Sequence, residues 1–261
     1  MTISFAELNS WIGMFLWPLF RIGAMFTVAP VTGARSVPTR VRLILALAVT
    51  LVIAPTLPTH PPVAWFGYEW FMIIAQQILI GVVMGFALQL VFAVVIMGGL
   101  IVAMQMGLGF AQMVDQLNGA QVPVVSQLYL MMTTLLFLGM DGHLLMVKIL
   151  ADSFIVLPIG AEGLDRDSFR LLADWGAQLY AMGLWIALPS LASLLVLNFS
   201  FGIMARSAPQ LNIFAVGFPI TMVAGYLVIM FTLPGTAEQF DDILLQGVQL
   251  IRAVIGDQIL G

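Results

Sequence analysis

Long stretches without charged residues set the pattern of this sequence. Residues 43–68, 70–114, 116–140, 175–205 and 207–237 contain no Asp, Glu, Lys or Arg. A helix needs about 20 mostly apolar residues to cross the hydrocarbon core of a bilayer. The pattern therefore predicts an all-α, polytopic membrane protein. Its six predicted apolar segments are residues 11–29, 43–57, 70 to about 100, 128–157, 177–204 and 213–233.

Two of these segments have the wrong length for a simple span. Residues 43–57 number only 15 and include Pro55. As a helix they reach about 22 Å, against a hydrocarbon core of about 30 Å. The uncharged stretch 70–114 would run about 68 Å as one helix. Because glycine weakens a helix, we expect breaks at Gly98–Gly99 and at Gly107–Gly109.

Polar residues and proline interrupt other segments. Asp141–Gly142–His143 divides residues 128–157, and Pro189 lies inside residues 177–204. Broken helices persist at membrane depth only where protein or water satisfies the freed backbone groups. The interruptions therefore predict kinked or broken helices that pack against other protein.

Composition agrees with a membrane location and excludes several functions. Of the 261 residues, 61% are hydrophobic and 8% are charged, whereas soluble domains carry about 25% charged residues. The net charge of −4 includes no basic run, so nucleic acid is not an expected partner. Cysteine is absent, which excludes disulfides and thiolate metal sites.

The distribution of arginines predicts an orientation. With six spans, one side of the membrane receives Arg35, Arg40, Arg42 and Arg206, and the other side receives three arginines and most of the acids. The positive-inside rule then places the loop 35–42 in the cytoplasm and both termini outside. Residues 1–10 contain no Lys or Arg, unlike a signal peptide, so we expect the first apolar segment to be a retained helix.

Residues suited to catalysis or metal binding are sparse. His60 and His143 are far apart, and the chain has no cysteine nucleophile, no Gly-x-Ser-x-Gly and no phosphate-binding glycine loop. Asp141 and His143 could act as an acid–base pair, but a helix break is the favoured interpretation. We therefore expect neither an enzyme nor a bound cofactor or metal.

Arg21 lies inside the first apolar segment. An arginine at membrane depth usually faces a protein partner or a cavity. Alternatively, its long side chain could extend towards the side of the membrane that carries Arg35 and Arg42. The sequence leaves both interpretations open.

Methionines and glycines surround one aromatic residue after the third apolar segment. Met104, Met106 and Met113 lie near Gly107, Gly109 and Phe110. Methionine is flexible and polarizable, so it fills irregular or changing contacts, and glycine permits backbone angles that other residues avoid. The glycines favour a loop at a helix junction, whereas ordinary apolar packing is the simpler interpretation of the methionines.

Two motifs stand out in the sequence. The first reads Gly-Leu-Gly-Phe-Ala-Gln-Met-Val-Asp over residues 107–115 and continues as Leu-Gly-Met-Asp-Gly-His-Leu-Leu over 138–145. The second reads Arg-x-x-Pro-Gln-x-Asn-x-Phe over residues 206–214 and is the more specific. Both resemble the FliR family of flagellar export proteins, which is related to the virulence-system SctT proteins. Many members of that family have Asp-Pro where this chain has Asp115–Gln116. Length, the loop 35–42 and hydropathy agree with the family over nearly the whole chain.

The resemblance implies a subunit of the type III secretion export gate in the bacterial inner membrane, at the flagellar basal body. Such a subunit forms a helical pore for unfolded export substrates together with FliP- and FliQ-like membrane proteins. FlhB- and FlhA-like components associate with it on the cytoplasmic side. The resemblance further implies a FliP-like part over residues 1–175, including the loop 107–121, and a FliQ-like hairpin with a C-terminal tail over residues 176–261.

The resemblance also implies roles for individual residues. The loop 107–121 would plug the closed pore, and the plug and gating residues would be Met106, Gly107, Gly109, Phe110 and Met113. The second motif is expected to form a structural turn between two helices, because proline lacks a backbone N–H and amide side chains can bond freed backbone groups. The residues of this turn are Arg206, Pro209, Gln210 and Asn212.

A small-solute secondary transporter is the alternative function. Broken helices and buried ionisable residues can build a substrate site near the bilayer midplane. Arg21, Asp141, Lys148 and Asp152 could serve such a site. Both motifs, and the lack of a detectable internal repeat, argue against this alternative.

Overall fold

The computed structural model describes residues 5–57, 67–109, 123–160, 163–207 and 213–256. These residues form α-helices and one short 3₁₀ turn, and no β-strand occurs among them. The helices are α1 (Phe5–Val28), α2 (Thr39–Ile53, followed by the 3₁₀ turn Ala54–Thr56), α3 (Tyr68–Gln105), α4 (Val124–Gly139), α5 (Gly142–Val156), α6 (Arg166–Ala177), α7 (Leu179–Ser207) and α8 (Ile213–Val254).

Most of these helices suit a membrane by their length and composition. Four helical stretches are long and apolar enough to span it: Thr39–Thr56, Tyr68–Gln105, Arg166–Ser207 and Gly217–Val254. The broken pair of α4 and α5 adds a fifth if it is counted as one span, and Ile12–Val28 is a shorter apolar helix. The prediction of an all-α polytopic membrane fold with about six apolar segments is therefore confirmed.

Helix α3 corrects one expectation about where the chain breaks. The helix continues through Gly98 and Gly99 and ends at Gln105. A Cβ atom at Gly98 would lie 2.9 Å from the Ile186 side chain, and one at Gly99 would lie 3.0 Å from the Cα atom of Ser126. These glycines therefore allow neighbouring helices to approach closely, and the surrounding contacts keep the helix intact. The break expected at Gly98–Gly99 was wrong, and the one expected at Gly107 is present.

Helix α8 extends about twenty residues beyond the apolar segment that hydropathy predicts. It runs through Pro219 and Pro234 and ends at Val254. After Pro234 the helix is amphipathic, because Phe240, Leu244 and Val248 are buried at helical spacing and the acids Asp241 and Asp242 are exposed. A search for apolar runs misses such a segment, so the predicted end at residue 233 was wrong.

The break between α4 and α5 is where the sequence predicts it. Helix α4 ends at Gly139 and α5 begins at Gly142. Asp141 lies between them with a φ angle of 56°, a left-handed conformation that aspartate tolerates better than most residues. Its carbonyl oxygen accepts hydrogen bonds from the backbone N–H groups of Leu144 and Leu145, at 2.9 and 3.0 Å. Asp141 thus ends one helix and starts the next.

The chain divides into two compact units. The first unit comprises Met1–Val91, Leu138–Gly176 and Leu244–Gly261, and the second comprises Phe92–Phe137 and Ala177–Ile243. The second unit has an aromatic core in which the Phe92 ring lies 5.5 Å from the ring of Phe137 and 6.0 Å from that of Phe240, both edge to face. The parts 1–175 and 176–261 proposed from the resemblance remain a prediction.

In the first unit, two glycines one turn apart bring α3 close to α1. A Cβ atom at Gly81 would overlap the carbonyl oxygen of Arg21, and one at Gly85 would lie 2.9 Å from the carbonyl oxygen of Met25. Small residues at this spacing let membrane helices pack with their backbones close together. The contact fixes the position of Arg21 relative to α3.

Candidate functional site

The side chain of Arg21 is completely buried inside the first unit. Its Nε atom donates to Gln77 Oε1 at 2.8 Å, and its Nη2 atom donates to the carbonyl oxygen of Leu157 at 2.9 Å. Its Nη1 atom donates to the carbonyl oxygen of Ser153 at 3.0 Å and to Ser153 Oγ at 3.1 Å. The guanidinium carbon lies 4.2 Å from the centre of the Phe154 ring. Arg21 therefore faces protein, and the interpretation in which it extends towards the membrane surface was wrong.

The acceptors of Arg21 explain why a cation is tolerated there. Ser153 lies in the last turn of α5, and Leu157 is the residue that caps this helix. The carbonyl oxygens at the end of a helix lack intrahelical partners and carry a partial negative charge. Arg21 neutralises this charge and joins α1, α3 and α5 through hydrogen bonds that an apolar environment strengthens.

The end of α3 forms a second candidate site, and this one lies in the second unit. The backbone N–H of Gly107 donates to the carbonyl oxygen of Met104 at 3.0 Å, and that of Leu108 donates to Ala103 at 3.1 Å. This pair of bonds is a Schellman cap, which needs a left-handed residue after the helix. Gly107 supplies it with a φ angle of 83°. The cap fixes the residue at which the predicted plug loop begins.

Two residues of α8, Phe218 and Gly225, pack against this helix end. Met106 is completely buried, and its Cγ and Cε atoms lie 2.6 Å from where a Cβ atom of Gly225 would be. A Cβ atom at Gly107 would lie 3.0 Å from the Phe218 ring. Of the predicted plug residues, the structure brings Met106 and Gly107 together against α8. Gly109 lies beside the Met104 side chain, and Phe110 and Met113 fall outside the described residues.

The predicted turn after α7 is described only at its first residue. Arg206 is exposed in the last turn of α7. Pro209, Gln210 and Asn212 are outside the described ranges. The structural turn at these positions remains a prediction.

The ionisable residues of the transporter alternative do not share the environment of Arg21. Asp141, His143 and Lys148 are exposed, and Asp152 is half-buried. Across the described residues, no group of three His, Cys, Asp or Glu side chains is placed to hold a metal ion. The hydrogen bonds of Asp141 support its interpretation as a helix break.

A buried cluster of hydroxyl groups in the second unit is a feature that the sequence analysis missed. The hydroxyl of Tyr129 in α4 is hydrogen-bonded to Ser190 of α7 and to Thr232 and Thr236 of α8. The Ser190 and Thr232 hydroxyl oxygens are 2.8 Å apart. Pro189 and Pro234 lie next to this cluster in their helices. Serine and threonine near helix-breaking prolines are a usable signal, because their hydroxyls can bond backbone groups that proline frees.

Long apolar helices, a glycine-capped helix end and a buried arginine that is hydrogen-bonded through all three of its side-chain nitrogens define this chain as an integral membrane protein built from α-helices. Residues 12–247 match the model of the family "Bacterial export proteins, family 1". The chain therefore belongs to this family of bacterial export proteins, and the resemblance to FliR is confirmed.

Three relatives show how far the similarity extends. The flagellar biosynthetic protein FliR of Escherichia coli (strain K12) is 39% identical over 249 residues, which cover 95% of each chain. The protein of the same name from Pectobacterium carotovorum subsp. carotovorum is 40% identical over 235 residues, covering 90% of this chain and 89% of its own. The FliR of Bacillus subtilis (strain 168) is 26% identical over 220 residues, with 83% and 84% covered.

Proposed function

We propose that this chain is a subunit of the flagellar export gate in the bacterial inner membrane, at the basal body of the flagellum. With FliP- and FliQ-like subunits it forms the pore through which unfolded flagellar proteins are exported. FlhB- and FlhA-like components join the assembly on the cytoplasmic side. The family and the names of the relatives support the flagellar role.

The observation that carries the proposal is the mismatch between helix length and bilayer thickness. Helices α3 and α8 contain 38 and 42 residues, which correspond to about 57 and 63 Å, roughly twice the hydrocarbon core of a bilayer. In the apolar 18-residue stretch of the span Gly217–Val254, only 22% of the residues are buried within the chain. Lipid covers only about half the length of such a helix, and the low burial of its apolar part within the chain supports contact with other protein subunits.

The internal organisation follows the resemblance. Residues 1–175 act as a FliP-like part, and residues 176–261 act as a FliQ-like hairpin with a C-terminal tail. The turn that contains Arg206, Pro209, Gln210 and Asn212 joins the two helices of the hairpin. Helices α7 and α8, which flank this turn, are both long and apolar and support this arrangement.

The loop 107–121 closes the resting pore, with Phe110 and Met113 as its apolar contacts and Met106 as its anchor. The cap at Gly107 and the burial of Met106 support a fixed starting point for this loop. Burial of one aromatic side chain contributes roughly 1.5–3 kcal/mol. Such a contribution is large enough to close a pore and small enough for export to open it.

Assembly tests the pore proposal most directly. Without FliP- and FliQ-like partners, the uncovered apolar surface should make the chain unstable, so we expect aggregation or degradation when it is expressed alone. Co-expression with both partners should restore a defined complex on size-exclusion chromatography. A stable, fully helical monomer obtained from the chain alone would overturn the proposal.

Deletion of residues 109–114 tests the plug. The deletion leaves the Gly107 cap and Met106 in place, so we expect normal assembly and a membrane that leaks small ions. Phe110→Ala should leak less, because the methionines partly fill the space. Met131→Ala is the control, since Met131 is an exposed methionine of α4 outside the predicted plug loop, and the membrane should not leak. If the deletion variant assembles and the membrane does not leak, the loop does not close the pore.

Asn212→Leu tests the predicted turn. If Asn212 bonds freed backbone groups between α7 and α8, the variant should lower the yield of assembled complex and leave the conductance of assembled pores unchanged. Leu211→Ala is a neighbouring control. A complex of normal yield with altered conductance would assign residue 212 to the pore and not to the turn.

A further inference from the structure

A groove in the first unit lies between α1, α2 and α3. It has a volume of about 670 Å³, and its lining is mostly apolar, with Leu19, Gly23, Ala46 and Ile78 among the lining residues. Pockets of about 300–1,000 Å³ are typical of sites for small molecules. The space above Gly23 is open, because a Cβ atom built there meets no atom within 4 Å. We call this space the α1–α2 groove.

One end of the α1–α2 groove is cationic. Arg42 is part of its lining. The exposed Arg35 lies in the loop before α2, and the exposed Arg40 lies in the first turn of α2. The Arg42 Nε atom donates to the carbonyl oxygen of Thr32 at 3.0 Å, and its Nη2 atom donates to Ala34 at 3.3 Å. These bonds hold the guanidinium in place, and no described protein atom accepts a hydrogen bond from Nη1.

The positive charge at this end is not neutralised by the described part of the chain. Among the described side chains, the one salt bridge joins Arg170 and Asp174, which lie elsewhere on α6. Helix α2 has no acidic residue in its first turn, and no side chain caps its N-terminus. The first N–H groups of a helix carry a partial positive charge and favour anions. The groove therefore combines a long apolar wall with an anion-binding end.

We propose that the α1–α2 groove binds one anionic phospholipid. An acyl chain lies along Gly23 and Ala46, and the phosphate accepts hydrogen bonds from Arg42. A free phosphate ion would leave the apolar wall uncovered. A partner helix is too thick: a helix about 10 Å across occupies roughly 420 Å³ per turn, so the groove would hold only one to two turns. The positive-inside rule predicts that this end faces the cytoplasm, where the leaflet is rich in anionic lipid.

Gly23→Leu tests the acyl-chain position. The Cβ atom of the new leucine enters the open space above Gly23, so we expect the side chain to fill part of the groove and leave the fold intact. Gly202→Leu is the matched control, because Gly202 is an exposed helical glycine that is also free of neighbours within 4 Å. The complete export assembly is purified in nanodiscs of phosphatidylcholine and phosphatidylglycerol, and bound lipids are counted by native mass spectrometry.

We expect the wild-type complex to retain one phosphatidylglycerol. Gly23→Leu should lower this retention at least about tenfold, because several CH₂ contacts are lost. Gly202→Leu should leave it unchanged. Thermal denaturation of both variants shows whether the fold is retained. Equal lipid retention by Gly23→Leu and wild type would overturn the proposal. So would a photo-crosslinker at Thr27, on the groove wall, that captures another protein subunit instead of lipid.

Arg42→Gln tests recognition of the headgroup. Loss of a charge-assisted hydrogen bond should reduce the preference for phosphatidylglycerol over phosphatidylcholine about tenfold. Arg42→Lys keeps the positive charge but removes the guanidinium that bonds Thr32 and Ala34. It should keep most of the preference for phosphatidylglycerol, which would show that Arg42→Gln acts through the lost charge and not through damage to the turn. An unchanged preference in Arg42→Gln would overturn the phosphate contact. The lipid assays use the assembled complex and so rest on the proposed assembly. Neither lipid result depends on whether that complex conducts ions, so the leak assays fail or succeed separately.

Discussion

The two units differ in the kind of polar group that they bury. In the first unit, one cation donates four hydrogen bonds to acceptors in α3 and at the end of α5. In the second unit, four hydroxyl groups from α4, α7 and α8 bond to one another: those of Tyr129, Ser190, Thr232 and Thr236. Each cluster joins three helices. The first cluster depends on one residue, whereas the second shares its bonds among several.

This difference indicates how firmly the three helices around each cluster are joined. A guanidinium is charged and planar, so it cannot stay buried if its acceptors move away. A hydroxyl both donates and accepts and can rotate to a new partner. The hydroxyls of Thr232 and Thr236 already bond carbonyl oxygens in their own helix. The first unit is therefore expected to tolerate little rearrangement at its centre, and the second unit is expected to tolerate more.

The largest effect is expected for Arg21→Met. The variant removes the donor to Gln77 and Leu157, and each buried acceptor left without a partner costs about 1–3 kcal/mol. We expect a loss of about 3 kcal/mol or more in stability, measured by thermal denaturation and by the amount of chain in the membrane. Arg166→Met, at an exposed arginine in the first turn of α6, is the control and should change stability by less than about 0.5 kcal/mol. Comparable effects of the two variants would contradict the assigned role of Arg21.

Gly81→Ala should have the next largest effect. Its methyl group would overlap the carbonyl oxygen of Arg21 and lie 2.9 Å from the Ala24 Cβ atom. Backbone must move, and overpacking of this kind costs about 1–3 kcal/mol. Gly202→Ala meets no neighbour and should instead stabilise α7 by up to about 1 kcal/mol. If both variants raise the melting temperature of the assembly, α1 and α3 are not tightly packed.

Tyr129→Phe should have a smaller effect than either change in the first unit. It removes one hydroxyl, but the bond between Ser190 and Thr232 at 2.8 Å remains. We expect a loss of about 1 kcal/mol in the same denaturation assay. Thr134→Val, which removes an exposed hydroxyl from the same helix, is the control. A loss as large as that of Arg21→Met would show that the hydroxyl cluster does not rearrange.

Gly225→Ala should have the smallest effect, and it also tests the packing at the end of α3. The three atoms nearest to the new methyl group all belong to the Met106 side chain, which has three rotatable bonds and can move aside. The gain in helix propensity of about 1 kcal/mol should roughly offset this movement, so we expect a net change below about 0.5 kcal/mol. A clear destabilisation would mean that Met106 is held more firmly than its flexibility suggests.

Local features of the fold could be predicted from the sequence, because they depend on residues close together in the chain. The break at Asp141 and the helix end at Gly107 both rest on backbone conformations that nearby residues determine. The short α2 helix, which ends in a 3₁₀ turn containing Pro55, likewise follows from local sequence.

Features that depend on distant contacts could not be predicted. The acceptors of Arg21 lie 56 and 132 or more residues away, so the sequence alone left its environment open. Gly98 and Gly99 were expected to break α3, but side chains and backbone from α7 and α4 occupy the space that a Cβ would take. The Ser190–Thr232 contact spans 42 residues and was missed for the same reason.

The separation between Arg21 and its last acceptor has a consequence for biosynthesis. Leu157 follows Arg21 by 136 residues, and ribosomes add about 5–20 residues per second. Helix α1 therefore exists for roughly 7 to 27 s before the chain contains every acceptor that its arginine needs. During that interval the insertion machinery, or water near it, must shelter the cation. Slowing translation after α3 should lengthen this interval and make α1 more susceptible to membrane proteases. Once Arg21 has bonded its final acceptors, α1 should resist these proteases.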